Sequence, residues 1–263
     1  MSKLLEKLER ISEGSGQPFG FGAAVNRTKI SPMLIIASVP AVNTQLTGVA
    51  DKEGIDAILI TITVENLAKD KKGLAKIDNT KIGVPWGVSM DAVTLEDIEQ
   101  LIGMGCDFVI FGPAKTPAAV LNEDKIGKVL KIDPTLTDSM IRAISRLSVD
   151  AVFLSPGSED EPHFTVQQLM AYERLAGGTG KHLLAAFPPS KPPADIESLW
   201  GLGVRGLAVD LTDEQPEQRL AQIKEAIQKL PATRKKSKEK IRATLPMAKA
   251  SEERTESEED DEE

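Results

Sequence analysis

Apolar residues along the chain gather into eight short runs, separated by polar segments of helix length. Five runs stop at a proline: Leu34–Val39 before Pro40, Phe108–Gly112 before Pro113, Val129–Asp133 before Pro134, Ala151–Ser155 before Pro156, and Leu183–Phe187 before Pro188. The other three, Ala57–Ile62, Pro85–Met90 and Leu207–Leu211, lack that stop. Glycine stands just upstream of most of them, at Gly54, Gly83, Gly105, Gly127, Gly180 and Gly203. Short apolar runs bounded in this way read as buried parallel strands. Each gap between them suits one helix and two short connections. The pattern predicts helices over Asn43–Glu53, Glu65–Ile77, Thr94–Met104, Pro117–Asp124, Thr137–Leu147, Thr165–Ala176, Ala194–Trp200 and Asp213–Leu230. Thr94 with Asp97, Thr137 with Asp138 and Asp213 with Glu214 are start signals. Gly54-Ile55-Asp56-Ala57, Gly105-Cys106-Asp107-Phe108 and Val149-Asp150-Ala151 echo one another where a helix gives way to a strand, with Gly203-Val204-Arg205-Gly206 as a variant. Eight such units predict an α/β protein of the (β/α)8, or TIM, barrel class over residues 32–231.

On either side of the barrel the pattern changes. Residues 1–31 form a helix and lead-in, with Leu4, Leu5, Leu8 and Ile11 on one helical face. Gly16–Gly22, with Phe19 and Phe21, reads as a plug covering the barrel's bottom. Residues 232–263 carry the basic run Arg234–Lys240 and the acidic segment Ser251–Glu263, and are expected to be disordered. At 263 residues, 41% of them hydrophobic, the chain is long enough to bury one large core. No stretch approaches the roughly 20 apolar residues of a membrane span, and the N-terminus lacks the apolar core of a secretory signal. A single cysteine, Cys106, permits no internal disulfide and fits a cytoplasmic protein. The net charge of −8 argues against a nucleic-acid surface. Leu199 and Trp200 are candidates for a homo-oligomer patch.

The glycine–strand–proline rhythm from Pro32 to Leu230 resembles the phosphate-binding (β/α)8 barrels, a group with isomerases, lyases and flavin-linked members. The resemblance is one of architecture. It implies chemistry at the carboxyl ends of the strands and a small-molecule substrate, with flavin mononucleotide (FMN) as an alternative cofactor. The sequence departs from that group where its phosphate would sit. Strand seven runs into Phe187-Pro188-Pro189-Ser190-Lys191-Pro192-Pro193, and strand eight into Asp210-Leu211-Thr212-Asp213. Proline offers no N–H and aspartate repels an anion, so the usual cradle is absent or rebuilt around Ser190 and Lys191.

Alternation along a strand sends every second side chain to one face. In strand five Leu130 and Ile132 suit the helix side, which aims Lys131 and Asp133 into the barrel. The same rule gives Ser38, Thr61, Thr63, Ser89, Asp91, Ser155 and Asp210 as inward residues near the strand tops. Lys131 is the sharpest candidate, because a lysine stripped of water becomes a neutral amine able to attack a carbonyl. Class I aldolases of this fold use such a Schiff-base lysine. The plainer reading is an ion pair with Asp133, Asp91 or Asp210. Asp91 and Asp210 are candidate general base and orienting carboxylate, or else ordinary caps. Lys115, on the loop after strand four, is a candidate point charge for a substrate anion. Glu65 and Asn66, after strand two, are further candidates for the mouth.

The remaining signals are weaker. Gly177-Gly178-Thr179-Gly180-Lys181 has the wrong spacing for a phosphate loop and precedes a strand. Glu159, Glu161 and His163 could gather a divalent ion, but an acidic solvated loop is the simpler view. No Cys/His ligand spacing exists, and Cys106 reads as core. The sequence therefore points to a lyase or isomerase acting on a small carbonyl compound, with or without a phosphate, and with Lys131 as Schiff-base amine or general base. A flavin-linked oxidoreductase and a non-catalytic binding or scaffold barrel are the alternatives.

Overall fold

The computed structural model describes residues 2–13, 31–40, 54–62, 74, 83–155, 161–211 and 215–231. Eight parallel strands close on themselves: β1 (Leu34–Pro40), β2 (Ala57–Thr61), β3 (Trp86–Met90), β4 (Phe108–Phe111), β5 (Gly127–Ile132), β6 (Ala151–Leu154), β7 (His182–Phe187) and β8 (Val204–Asp210). The ring is completed where β1 pairs with β8 from Leu34↔Gly206 to Ser38↔Asp210. All eight predicted runs are strands. The described helices are α1 (Lys3–Glu13), α2 (Leu95–Gly103), α3 (Asp138–Ile144), α4 (Val166–Thr179), α5 (Ile196–Gly201) and α6 (Pro216–Gln228), with 3-10 turns at Ala118–Asn122 and Pro193–Asp195. The predicted helix Asn43–Glu53, nearly all of Glu65–Ile77, the glycine-rich lead-in and the charged tail lie outside the described residues.

Local chemistry sets the helix ends. Thr94 and Thr165 each form a capping box, with Asp97 and Gln168 as the reciprocal partners. Gly105 (φ 82°) turns the corner from α2 into β4 in the left-handed region, where a side chain would be strained. The echoed aspartates explain themselves here. Asp56 Oδ2 accepts the Ile35 N–H at 3.0 Å, and Asp150 Oδ2 accepts the Lys128 N–H at 2.7 Å. Each carboxylate thus ties the foot of its own strand to the strand before it.

Asp107 does something else. Its carboxylate accepts from Ser2 Oγ (2.7 Å), the Lys3 N–H (2.8 Å) and the Leu4 N–H (3.0 Å). These are orphan donors at the start of α1, so a residue a hundred positions away caps that helix. Lys7 adds a second tether, donating to the Asp56 carbonyl at 2.8 Å. Held there, α1 presses Leu4, Leu5 and Leu8 into the bore. Helix α1 therefore occupies the floor of the barrel.

Alternation splits the apolar residues into two cores. Leu34, Ile36, Leu59, Phe108, Ile110, Val129, Phe153 and Leu184 fill the bore above α1. Ile58, Val88, Val109, Leu130, Val152 and Val209 face the helices. Phe108 occupies its space only because its neighbours across the ladder are glycines. A Cβ on Gly87 would stand 2.5 Å from the Phe108 ring, and one on Gly127 would stand 3.1 Å from the Phe108 Cβ. Leu199 and Trp200 are buried in the outer core, packed between α5 and the barrel, and supply no oligomer patch. Among the described residues no helix is long and apolar enough to cross a membrane.

Removing the capping carboxylate in Asp107→Ala should destabilise the fold by about 2 kcal/mol, the scale of a lost charged cap. Asp107→Asn, which keeps an accepting oxygen, should lose less; urea midpoints of the two variants check this. His182 gives a second expectation. Burial lowers its imidazole pKa from the ordinary 6.5, against the opposing pull of Glu9 and Asp150, while Nδ1 lies 3.1 Å from Ser12 Oγ. The unfolded chain then takes up a proton before the folded chain does. Stability should fall as pH drops below 6.5 and level off below the folded-state pKa. His182→Gln should flatten that decline in thermal melts between about pH 7 and about pH 5.

Candidate functional site

Six of the polar residues predicted to point inward meet at the carboxyl ends of the strands. Ser38, Thr61, Ser89, Lys131, Ser155 and Asp210 line one cavity of about 340 Å³. Leu59, Phe153 and Ala208 form its base, and Ala186, Phe187, Pro188 and Pro189 one side. Strand register explains the grouping. Ser38 lies opposite Asp210, and Thr61 opposite Ser89, on strands about 4.8 Å apart. Lys131 lies opposite Phe153, whose ring closes the bore beneath it.

Lys131 Nζ stands 3.4 Å from Asp91 Oδ1, the ion pair that the sequence offered as the plainer alternative. The lysine side chain is 37% exposed and the Asp91 side chain 80% exposed, so the pair sits at the rim, in reach of water. Asp91 follows the last residue of β3 and, although predicted to point inward, does not line the cavity; its carboxylate meets the Lys131 ammonium at the rim. The end of β6 is pinned from outside: Tyr172, fully buried in α4, donates its hydroxyl to the Ser155 carbonyl at 3.0 Å. Burial raises that phenol to about 12, so it remains a donor.

Four expectations do not survive. Asp133 lies beyond the end of β5, where alternation no longer operates. It lines an adjoining cavity of about 820 Å³ with Pro134, Thr135 and Arg174, which meets the mouth cavity at Ser155. There it accepts from Thr135 Oγ1 (2.7 Å) and the Thr135 N–H (2.8 Å), and the hydroxyl and amide hold it below the usual carboxylate range. Lys115 is exposed on its loop, away from the mouth cavity. Ser190 is also exposed and lines no part of it. Lys191 is 1% exposed and points the other way. Its ammonium donates to the Glu161 carbonyl and, at 3.3 Å, to the His163 carbonyl, and lies 5.3 Å from the centre of the Phe164 ring. It stitches the chain after β7 to the chain after β6.

Thr63, Glu65, Asn66 and Glu159 lie outside the described residues. His163 pairs with Asp195 at 3.0 Å. Among the described residues no group of three or more His, Cys, Asp or Glu side chains is placed to hold a metal ion. Cys106 is buried as expected, donates to the Phe108 carbonyl, and has its thiol pKa pushed far up by burial.

Sequence reasoning missed Phe153, Pro188 and Pro189 as walls. It also missed Arg219, which donates to the Pro188 carbonyl (3.0 Å) and the Lys191 carbonyl (2.6 Å) and stacks on Phe187. The double proline was the available signal for the wall. Nothing local to Arg219 in the sequence announces its partners, which lie about thirty residues away.

No family model matches the chain, and no curated protein does so at a significant level. Solved structures do match. A tryptophan synthase chain from M. tuberculosis, in a ligand-free mutant form, superimposes with a TM-score of 0.57 at 12% identity, covering 86% of this chain and 98% of that one. The open form with BRD0059 bound gives 0.55 at 12%, over 76% and 94%. A mutant tryptophan synthase alpha-subunit from Pyrococcus furiosus gives 0.55 at 15%, over 75% and 97%. The shared fold is the TIM barrel. At these identities the likeness carries the architecture alone.

The contrast between two neighbouring residues is testable. Lys191→Ala should cost about 2–3 kcal/mol, from lost packing and two charge-assisted hydrogen bonds. Ser190→Ala should change stability by less than about 0.5 kcal/mol. Urea unfolding of the two variants compares them directly.

Proposed function

We propose that the chain is a lyase or isomerase acting on a small carbonyl compound bound in the mouth cavity, with Lys131 as its Schiff-base amine. The observation that carries this reading is the setting of Lys131. Among the described residues it is the one lysine lining that cavity, with a carboxylate 3.4 Å from its nitrogen and hydroxyls around it. The position also suits the rule that such barrels react at the carboxyl ends of their strands.

The chemistry follows from the pair. At rest Lys131 is ion-paired with the Asp91 carboxylate, 3.4 Å from its nitrogen. A substrate entering the cavity expels water and weakens the hold on that charge. The ammonium passes a proton to Asp91, and the free amine attacks the carbonyl carbon. The carbonyl oxygen takes up the amine's protons, with Asp91 as relay, and leaves as water. The product is a protonated imine, and Asp91 is again a carboxylate. That cation withdraws electrons from the adjacent carbon, so a C–C or C–H bond there can break. Asp210, on the same cavity wall, is the candidate base for the proton released. The tryptophan synthase neighbours carry the fold without carrying this assignment.

Borohydride reduction in the presence of pyruvate or glycolaldehyde should fix one substrate equivalent on Lys131, located by peptide mass spectrometry. Lys131→Met should lose the adduct and keep its melting temperature, while Asp91→Asn should form it about 10²–10⁴ times more slowly. Failure to trap any carbonyl compound on Lys131 would remove the imine reading.

A further inference from the structure

The mouth cavity continues past Lys131 into a larger space. Lys131 stands on β5 opposite Phe153 of β6. Two residues further on, Ser155 lines both the mouth cavity of about 340 Å³ and the adjoining cavity of about 820 Å³. Strand spacing puts that shared boundary about 4.8 Å from the lysine's own strand. A carbonyl carbon joined to Lys131 therefore has room on two sides. One side runs across the ring toward Ser38, since β1 lies opposite β5 in the closed order. The other runs outward past Asp133 to α4.

The outer side has its own chemistry. Asp133 is held as a carboxylate by the Thr135 hydroxyl and amide. Arg174 is anchored on the Pro134 and Leu136 carbonyls at 3.0 and 2.8 Å. Gln168 is fixed by its capping bond, with Oε1 on the Thr165 N–H at 2.9 Å, which sets the direction of its amide NH₂. Gln167 adds a second amide, and Met170 and Ala171 add carbon surface. Acceptors and donors thus stand beside an apolar strip. A hydroxyl both donates and accepts, so a chain of hydroxylated carbons matches this lining on its polar and its apolar faces.

Resting on the Lys131 reading, we infer that the substrate is a ketone with two arms, a short one in the mouth and a longer, hydroxylated one in the cavity along α4. Its carbonyl is internal to the chain, at the junction beside Ser155. Gln167, Gln168 and Arg174 are then specificity determinants for the longer arm.

Dihydroxyacetone and fructose are matched probes, because fructose adds three hydroxylated carbons on one side of the same ketone. With borohydride present, Lys131 labelling is read by peptide mass spectrometry and normalised to Lys115, which is exposed and away from the mouth cavity. The normalisation corrects for the open-chain fraction of each sugar. Fructose should label Lys131 at least about tenfold faster than dihydroxyacetone, the scale of one or two hydrogen bonds. Ala171→Phe, which fills the outer cavity, should bring that ratio close to one. Gln167→Trp, at an exposed position, makes the same comparison with little risk to the fold, and melting temperatures check both variants. Loss of the ratio in either folded variant supports the inference. No preference in the wild-type chain, or a preference that persists in both variants, overturns it and leaves the imine chemistry standing. If neither probe labels Lys131, the imine reading fails, and the two-armed site is decided by NMR titration with sorbitol. Shifts at Thr135 and Ala171 together with Ser89 support it; shifts confined to one cavity, or none, overturn it.

Discussion

Closure of the strand ring is the constraint on which everything else depends. Once β8 pairs back onto β1, no strand edge is left, and alternation must divide every strand between an inner and an outer core. The inner core is small. It can be filled only from within the ring and from its two ends. Leu4, Leu5 and Leu8 of α1 fill it from below, and Phe108 blocks its middle between two glycines. Polar side chains are then confined to the upper end, where water can still reach them. Lys131 is thus half-exposed and ion-paired instead of buried among leucines. Its place follows from its being the third inward residue of β5, after Gly127 and Val129.

The architecture was legible because it is encoded locally and repeatedly. Every strand carries its own apolar run, and five of the eight runs stop at a proline. The inward set Ser38, Thr61, Ser89, Lys131, Ser155 and Asp210 was readable for a similar reason: alternation holds as long as the strand does. It failed at Asp133, one residue past the end of β5, because a loop has no period to follow. Lys191 failed on a different ground. A lysine on the loop after strand seven reads as an anion ligand, and only the fold brings the Glu161 and His163 carbonyls to its ammonium. Asp107 is the most instructive case. The sequence shows it as one of three echoed aspartates, and two of them do the same work. The third caps a helix that precedes it by more than a hundred residues. No local pattern distinguishes it.

Rim and wall are supported separately. Tyr172 reaches from an outer helix to the Ser155 carbonyl, so α4 helps fix the end of β6. Arg219 in α6 and Lys191 brace the proline wall from behind. The groups facing a ligand are therefore carried on strand ends, and the groups that hold those ends come from the surrounding helices and loops. This division lets the lining vary in chemistry while its frame stays fixed.

Phe108, fully enclosed with glycine on either side, has a transport meaning as well as a packing one. With its ring across the bore and α1 seated below, the cylinder is a cup and not a tube. Among the described residues the axis is filled at its middle by Phe108 and at its foot by α1. Among the described residues, whatever enters between Lys131 and Pro188 leaves on the same, upper side of the barrel, so departure of one molecule and arrival of the next compete for that face.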